Sequence, residues 1–174
     1  LVSSSAASDV YKRQIQLKKN RISKNWINKQ RRDIYVRQSK IEGYRSRAVY
    51  KLKEINDKFK ILRNGQSIVD LGGAPGSWSQ YLSSTLKNTK LLAIDLLEIQ
   101  EIKNVKLMKG DFTDDIYKQK IKSFFNTKID LVISDMAVNT TGNKNLDAIV
   151  TGELAMESIE LSLIHISEPT RPLH

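Results

Sequence analysis

The chain has no cysteine, and its 174 residues include only two histidines, His165 and His174. Disulfides and thiolate metal sites are thereby excluded, a histidine-rich metal site cannot be built, and no bound metal is expected. Long hydrophobic runs are missing too. No apolar stretch approaches the ~20 residues needed to cross a bilayer, and no charged region followed by an apolar one marks a secretory signal. The expectation is a cytoplasmic protein with no membrane association, and a monomer by default.

What is present, 40% hydrophobic and 28% charged residues, suits a soluble globular protein with one real core and no room for two ordinary domains. The net charge of +10 is local: residues 1–66 hold 18 Lys or Arg against 5 Asp or Glu, whereas residues 67–174 hold 11 against 14. Clustered cations are repaid by phosphates through counterion release, so the asymmetry suggests a polyanion-binding segment attached to a nearly neutral domain. Trp26, Tyr35, Tyr44 and Tyr50 interrupt the charges, which favours an ordered surface over a plain basic tail.

The opening "LVSSSAASDVYKRQ" and the closing "IHISEPTRPLH" have no periodicity that continues into the chain between them, and both resemble translated sequencing-adapter read-through. Residues 1–14 and 164–174 are therefore expected to be non-native tails. Between them lie a basic segment with a first helix, 15–66, and an α/β region, 67–163.

In "SRAVYKLKEINDKF" the spacing of Ala48, Leu52, Ile55 and Phe59 predicts one buried face of an amphipathic helix, with Lys51 at its border. Arg45 and Arg47 sit at its start, where a cation is unfavourable beside the positive end of the dipole unless an anion is near. The pattern then alternates. "SIVDLGG", "KLLAIDL", "VKLMKGD" and "KIDLVISDMA" read as strands; "SWSQYLSSTL", "DDIYKQKIKSFF" and "LDAIVTGELAMESIELSL" read as helices. Short apolar strands punctuated by helices indicate a parallel sheet covered on both faces, whose ligands bind beyond the carboxyl ends of the strands. Asp70, Asp95, Asp111 and Asp135 all fall at such ends.

The turn "DLGGAPGSW", Asp70 to Trp78, raises the question of its ligand. A P-loop needs Gly-Lys-Ser/Thr where this chain has Gly76-Ser77-Trp78. A dinucleotide fingerprint needs glycines at the first, third and sixth places, and counting from Gly72 gives Ala74 and Ser77 instead. Pro75 also has no N–H to offer a pyrophosphate. What fits is D-x-G-x-A-x-G, a form of the first motif of S-adenosylmethionine-dependent methyltransferases. Asp95 can accept from both ribose hydroxyls, since an ionised carboxylate is all acceptor. Asp111 can accept from the adenine amino group, with Phe112 available to pack on the ring.

From about Ser23 to Leu161, through "SKNW", "GYRSRAVYKL", "VDLGGAPGSWSQYL", "AIDLLE", "KGDFTD" and "SDMAVNTTG", the sequence resembles the FtsJ (RrmJ) family of ribosomal RNA 2′-O-methyltransferases. The resemblance implies a Rossmann-like sheet in the strand order 3-2-1-4-5-7-6, with S-adenosylmethionine as methyl donor. It also implies methylation of a uridine ribose in ribosomal RNA within the large ribosomal subunit. By motif, Gly76 and Trp78 would contact the cofactor, Asp95 its ribose, Asp111 its adenine, and Asp135 its methionine moiety. Lys51 and Asp135 match the first lysine and the aspartate of the family's catalytic Lys-Asp-Lys-Glu set. A lysine whose pKa is lowered by burial and positive neighbours can serve as base or orienter, positioned by a carboxylate. Arg45 and Arg47, with the basic segment, would contact RNA phosphates.

By the resemblance, the family's second lysine lies on the fifth strand and its glutamate later still, and neither has a counterpart here. The 67–163 region therefore reads as a partial methyltransferase domain, truncated after about the fourth strand, and the chain as an inactive fragment of an active enzyme. The alternative is a non-catalytic RNA-binding module; a nicotinamide oxidoreductase is a third, weaker reading.

Overall fold

A computed structural model describes residues 33–136, together with residues 152, 153, 155, 156, 158 and 159, which are helical as the closing pattern predicts. Both expected tails, and Trp26, lie outside the described residues. Four parallel strands, β1 (Ser67–Leu71), β2 (Lys90–Asp95), β3 (Val105–Lys109) and β4 (Leu131–Ser134), form one sheet in the order β3-β2-β1-β4. This is the 3-2-1-4 part of the order that the family resemblance implies. Helices α1 (Ile34–Ile41) and α2 (Val49–Phe59) precede the sheet, α3 (Ser77–Thr85) joins β1 to β2, and α4 (Asp115–Phe125) joins β3 to β4.

Alternation along the strands assigns side chains to two layers. Val69 and Leu71 of β1 and Leu92 and Ile94 of β2 pack with Ile121 and Phe125 of α4. On the other face, Ile68 of β1, Leu91 of β2 and Ile133 of β4 pack with Leu52 of α2 and with Trp78 and Leu82 of α3. A sheet buried on both faces explains why its strands read as nearly continuous apolar runs. β4 is shorter than "KIDLVISDMA" suggests because Asp130 is used at its entrance. The Asp130 side chain accepts from the Ser67 amide at 2.8 Å and its own amide donates to Ser67 O at 2.9 Å, setting β4 against β1. The register pairs Leu71 with both Ile94 and Ser134, and Asp95 with Lys109, so the carboxyl ends form one edge.

Helix α2 departs from its expected face. Leu52 is buried at 1% exposure, with Val49 and Tyr50 beside it, whereas Ile55 and Phe59 are 38% and 61% exposed. Full burial is confined to the first turn, where α2 meets α3, and the described residues cover the rest of the apolar stripe only in part. Tyr44, Tyr50 and Tyr81 instead surround the Lys53 ammonium, at 4.5, 5.1 and 5.6 Å from the ring centres, and Glu42 meets it at 2.9 Å. Two of the aromatic residues within the basic segment thus anchor α2.

This packing predicts that Leu52→Ala costs about 2–5 kcal/mol, the range for a leucine cavity. Phe59→Ala, on the same nominal stripe, should stay within about 0.5 kcal/mol. Urea unfolding of both variants measures the contrast, and equal losses would contradict the burial described.

Candidate active site

The site is built where the segment before α2 is tied to the start of α3. Ser46 and Ser77 share a hydroxyl hydrogen bond of 2.8 Å, and the Trp78 indole N–H donates to Ala48 O at 2.7 Å. The Gln80 side chain bridges the same gap, donating to Gly43 O at 2.8 Å and accepting from the Arg45 amide at 3.2 Å. The motif around Arg45 and the motif around Gly76, thirty residues apart, therefore dock on each other. With Ala48 fixed, Lys51 lies in the first turn of α2 and its Nζ reaches Asp135 Oδ1, just beyond β4, at 2.6 Å.

Beneath this ion pair is a narrow cleft of about 50 Å³, lined by Ser46, Ala48, Asp70, the turn Gly72–Pro75, Ser77, Trp78 and Asp135. Gly72, at φ +68°, lies under the Met136 side chain, whose Cγ would be 2.1 Å from any added Cβ. A side chain at Gly72 is thus excluded on two grounds, conformation and space.

The four strand-end acids occupy four different environments. Asp70 is buried, accepts from the Ser79 hydroxyl at 2.7 Å, and has its carboxyl pushed up to about 7, first by desolvation, with Asp95 and Asp135 adding to it. Asp95 accepts from the Ala74 amide at 2.9 Å and the Leu97 amide at 2.8 Å, joining the glycine turn to the loop after β2. Asp111 accepts from the amide and hydroxyl of Thr113, at 3.0 and 2.7 Å. Asp135 is partly exposed and meets Lys51.

Several residues differ from their sequence-based reading. Lys51 meets the carboxylate expected to position it, but its side chain is 61% exposed, so burial among positive neighbours does not describe its surroundings. Phe112 is buried in the core with Ile121 and Phe125, where its ring serves packing. Gly76, at φ +106°, faces Ile99, Ile102 and the Arg45 guanidinium, and the glycines at the cleft are Gly72 and Gly73. Trp78 both lines the cleft and packs in the core. Arg47 pairs with Asp33, while Arg45 donates to three backbone carbonyls, Pro75 O at 3.1 Å, Gln100 O at 2.8 Å and Glu101 O at 2.7 Å. Ser46 and Ser79 escaped the sequence reading; the S-R-A and W-S-Q contexts gave no sign of their partners.

The family model that matches residues 44–169 is described as FtsJ-like methyltransferase. The chain belongs to this family. Among curated relatives it is 62% identical over 146 residues to "Ribosomal RNA large subunit methyltransferase E" of Pelagibacter ubique, covering 84% of this chain and 72% of that protein. It is 45% identical over 147 residues to the protein of the same name from Rickettsia akari, covering 81% of this chain and 65% of the relative. A crystal structure of a ribosomal RNA methyltransferase from Plasmodium falciparum superposes with a TM-score of 0.59 at 34% identity, covering 71% of this chain and 70% of that one. The docked motifs, Tyr44 to Leu52 and Asp70 to Trp78, lie within the span that the FtsJ-like model matches.

The raised Asp70 carboxyl gives a pH signature. Between the ordinary carboxylate value and about 7, folded Asp70 keeps a proton that the unfolded chain has released. Its contribution to stability is therefore complete at low pH and is lost as pH rises through about 7. Asp70→Asn should remove that loss, so the melting temperature of the variant relative to wild type should rise between pH 5 and pH 8. A difference independent of pH would show that Asp70 titrates normally.

Proposed function

We propose that the family activity of this site is transfer of a methyl group from S-adenosylmethionine to the 2′-oxygen of a uridine ribose in large-subunit ribosomal RNA. The observation that carries the reading is the Lys51–Asp135 pair, 2.6 Å apart across 84 residues, at the rim of the glycine cleft. Nothing in local folding requires these two side chains to meet.

The residues present fit a sulfonium donor. Asp70 and Asp135 put carboxylates at the cleft, Gly72 and Gly73 leave its backbone open, and Asp95 and Asp111 stand at the next two strand ends. Each oxygen of Asp95 receives one amide hydrogen bond and keeps a lone pair for a ribose hydroxyl. Trp78 supplies an apolar wall. The cleft, at about 50 Å³, is far below the roughly 300–1,000 Å³ of a small-molecule site, so a ligand would need side chains to move, and the flexible Met136 side chain over Gly72 is the candidate.

The bound donor would supply an electrophilic methyl carbon. The chain's own part is placement. Asp135 lines the cleft and accepts from Lys51, which holds the ammonium beside it, where a second N–H could hold a ribose oxygen in line for attack. Methyl transfer would leave a neutral thioether and release the hydroxyl proton, which would pass to water or to the Asp135 carboxylate, since an ammonium has no lone pair to accept it. The exposure of Lys51 leaves its ammonium open to the substrate side. The basic residues ahead of Arg45 would meet phosphates, which position RNA without specifying its sequence; Arg47 would join them only by leaving Asp33.

Calorimetry should show S-adenosylmethionine binding to the chain and no binding of NADH. Transfer of labelled methyl to large ribosomal particles should fall by about 100-fold or more in Lys51→Ala and in Asp135→Ala. Normal turnover in both variants would remove the catalytic assignment, and binding of RNA without any donor affinity would favour a non-catalytic RNA-binding module.

A further inference from the structure

We propose that Arg45 is a positioning residue of the donor site, a clamp that holds the Asp95 carboxylate for the donor's ribose, and is not a phosphate contact; this rests on the reading of the cleft given above. Two loops flank the donor edge, the glycine turn and the segment after β2. They are joined twice. On one side the Asp95 carboxylate accepts from Ala74 N and Leu97 N; on the other the Arg45 guanidinium donates to Pro75 O, Gln100 O and Glu101 O. An anion gathers the amides and a cation gathers the carbonyls, so each loop is gripped between opposite charges.

The fit is tight as well as polar. A Cβ at Gly76 would stand 2.8 Å from Arg45 Nη1 and 2.8 Å from Ile102 Cδ1, so the guanidinium is packed against the turn it binds. Ile99 and Ile102, in the loop that Arg45 holds, are buried against Ala93 of β2, the residue two before Asp95. Arg45 itself is fixed at its amide by Gln80. A guanidinium presents five donors in a rigid fork, whereas an ammonium is a compact point charge that cannot span three carbonyls in this arrangement.

Arg45→Lys keeps the charge and loses the fork. The expected result is a rise of about tenfold in the dissociation constant for S-adenosylmethionine, by calorimetry under conditions where melting shows the variant folded, with affinity for a labelled RNA hairpin retained. In an Asp95→Asn background, the further loss from Arg45→Lys should largely vanish, because the clamp acts through Asp95. A merely structural role would instead give additive losses, which would overturn the proposal. So would unchanged donor affinity in Arg45→Lys, or a loss of RNA affinity with a shallower salt dependence in Arg45→Met. On the wild-type chain, saturating S-adenosylmethionine should slow phenylglyoxal modification of Arg45 and the hairpin should not; the reverse pattern would overturn the assignment without any variant having to fold. A wild-type chain with no affinity for S-adenosylmethionine would overturn the parent reading, and the clamp with it.

Discussion

The arrangement at the carboxyl edge depends on one constraint, the docking of residues 43–48 onto the first turn of α3. The Ser46–Ser77 and Trp78–Ala48 hydrogen bonds fix the start of α2, and one helical turn then carries Lys51 to Asp135. Without that docking, the two halves of the ion pair would belong to unrelated elements, one ahead of the sheet and one at the end of its fourth strand. The hydrogen bonds are also sheltered: Trp78 is buried at 7% exposure and Ser77 at 3%. Breaking either would strand a polar group away from water, which costs more than an ordinary hydrogen bond contributes.

Charge is distributed along the same logic. The basic excess lies ahead of the sheet, and the acids lie at the strand ends. Under the proposed function, a polyanionic substrate would be drawn to the first and a cationic donor to the second. Asp70 limits how much negative charge the cleft carries, since burial favours its protonated form up to about pH 7. A cation entering the cleft would oppose that burial effect.

The parts of this structure visible in the sequence are those governed by periodicity. Strand runs, the helices that alternate with them and the four acids at strand ends follow from local pattern, and the parallel sheet follows from their alternation. What was not visible depends on partners distant in the chain. The apolar spacing of Ala48, Leu52, Ile55 and Phe59 is helical in period, yet the period says nothing of how far along its length α2 is covered. Phe112 follows an acid at a strand end, and only the packing of α4 decides whether its ring turns to ligand or core. Arg45 and Arg47 are two residues apart and chemically identical; the position of the loop after β2 is what separates a clamp from a surface cation.

The exposure of the Lys51–Asp135 pair has a consequence for the chemistry. An ion pair this open contributes at most about 0.2–1 kcal/mol after solvent screening and side-chain ordering, so stability does not explain why residues 84 apart are brought to 2.6 Å. The same weakness makes the pair easy to reorganise. A lysine held by a buried carboxylate would have to abandon a costly interaction before meeting a substrate oxygen. Here the ammonium keeps two donors free of Asp135, and under the proposed function it can share itself between carboxylate and substrate oxygen with little loss. A rigid docking of backbone and a loose pairing of charge thus occupy the same few residues: the first sets where Lys51 stands, and the second leaves it available.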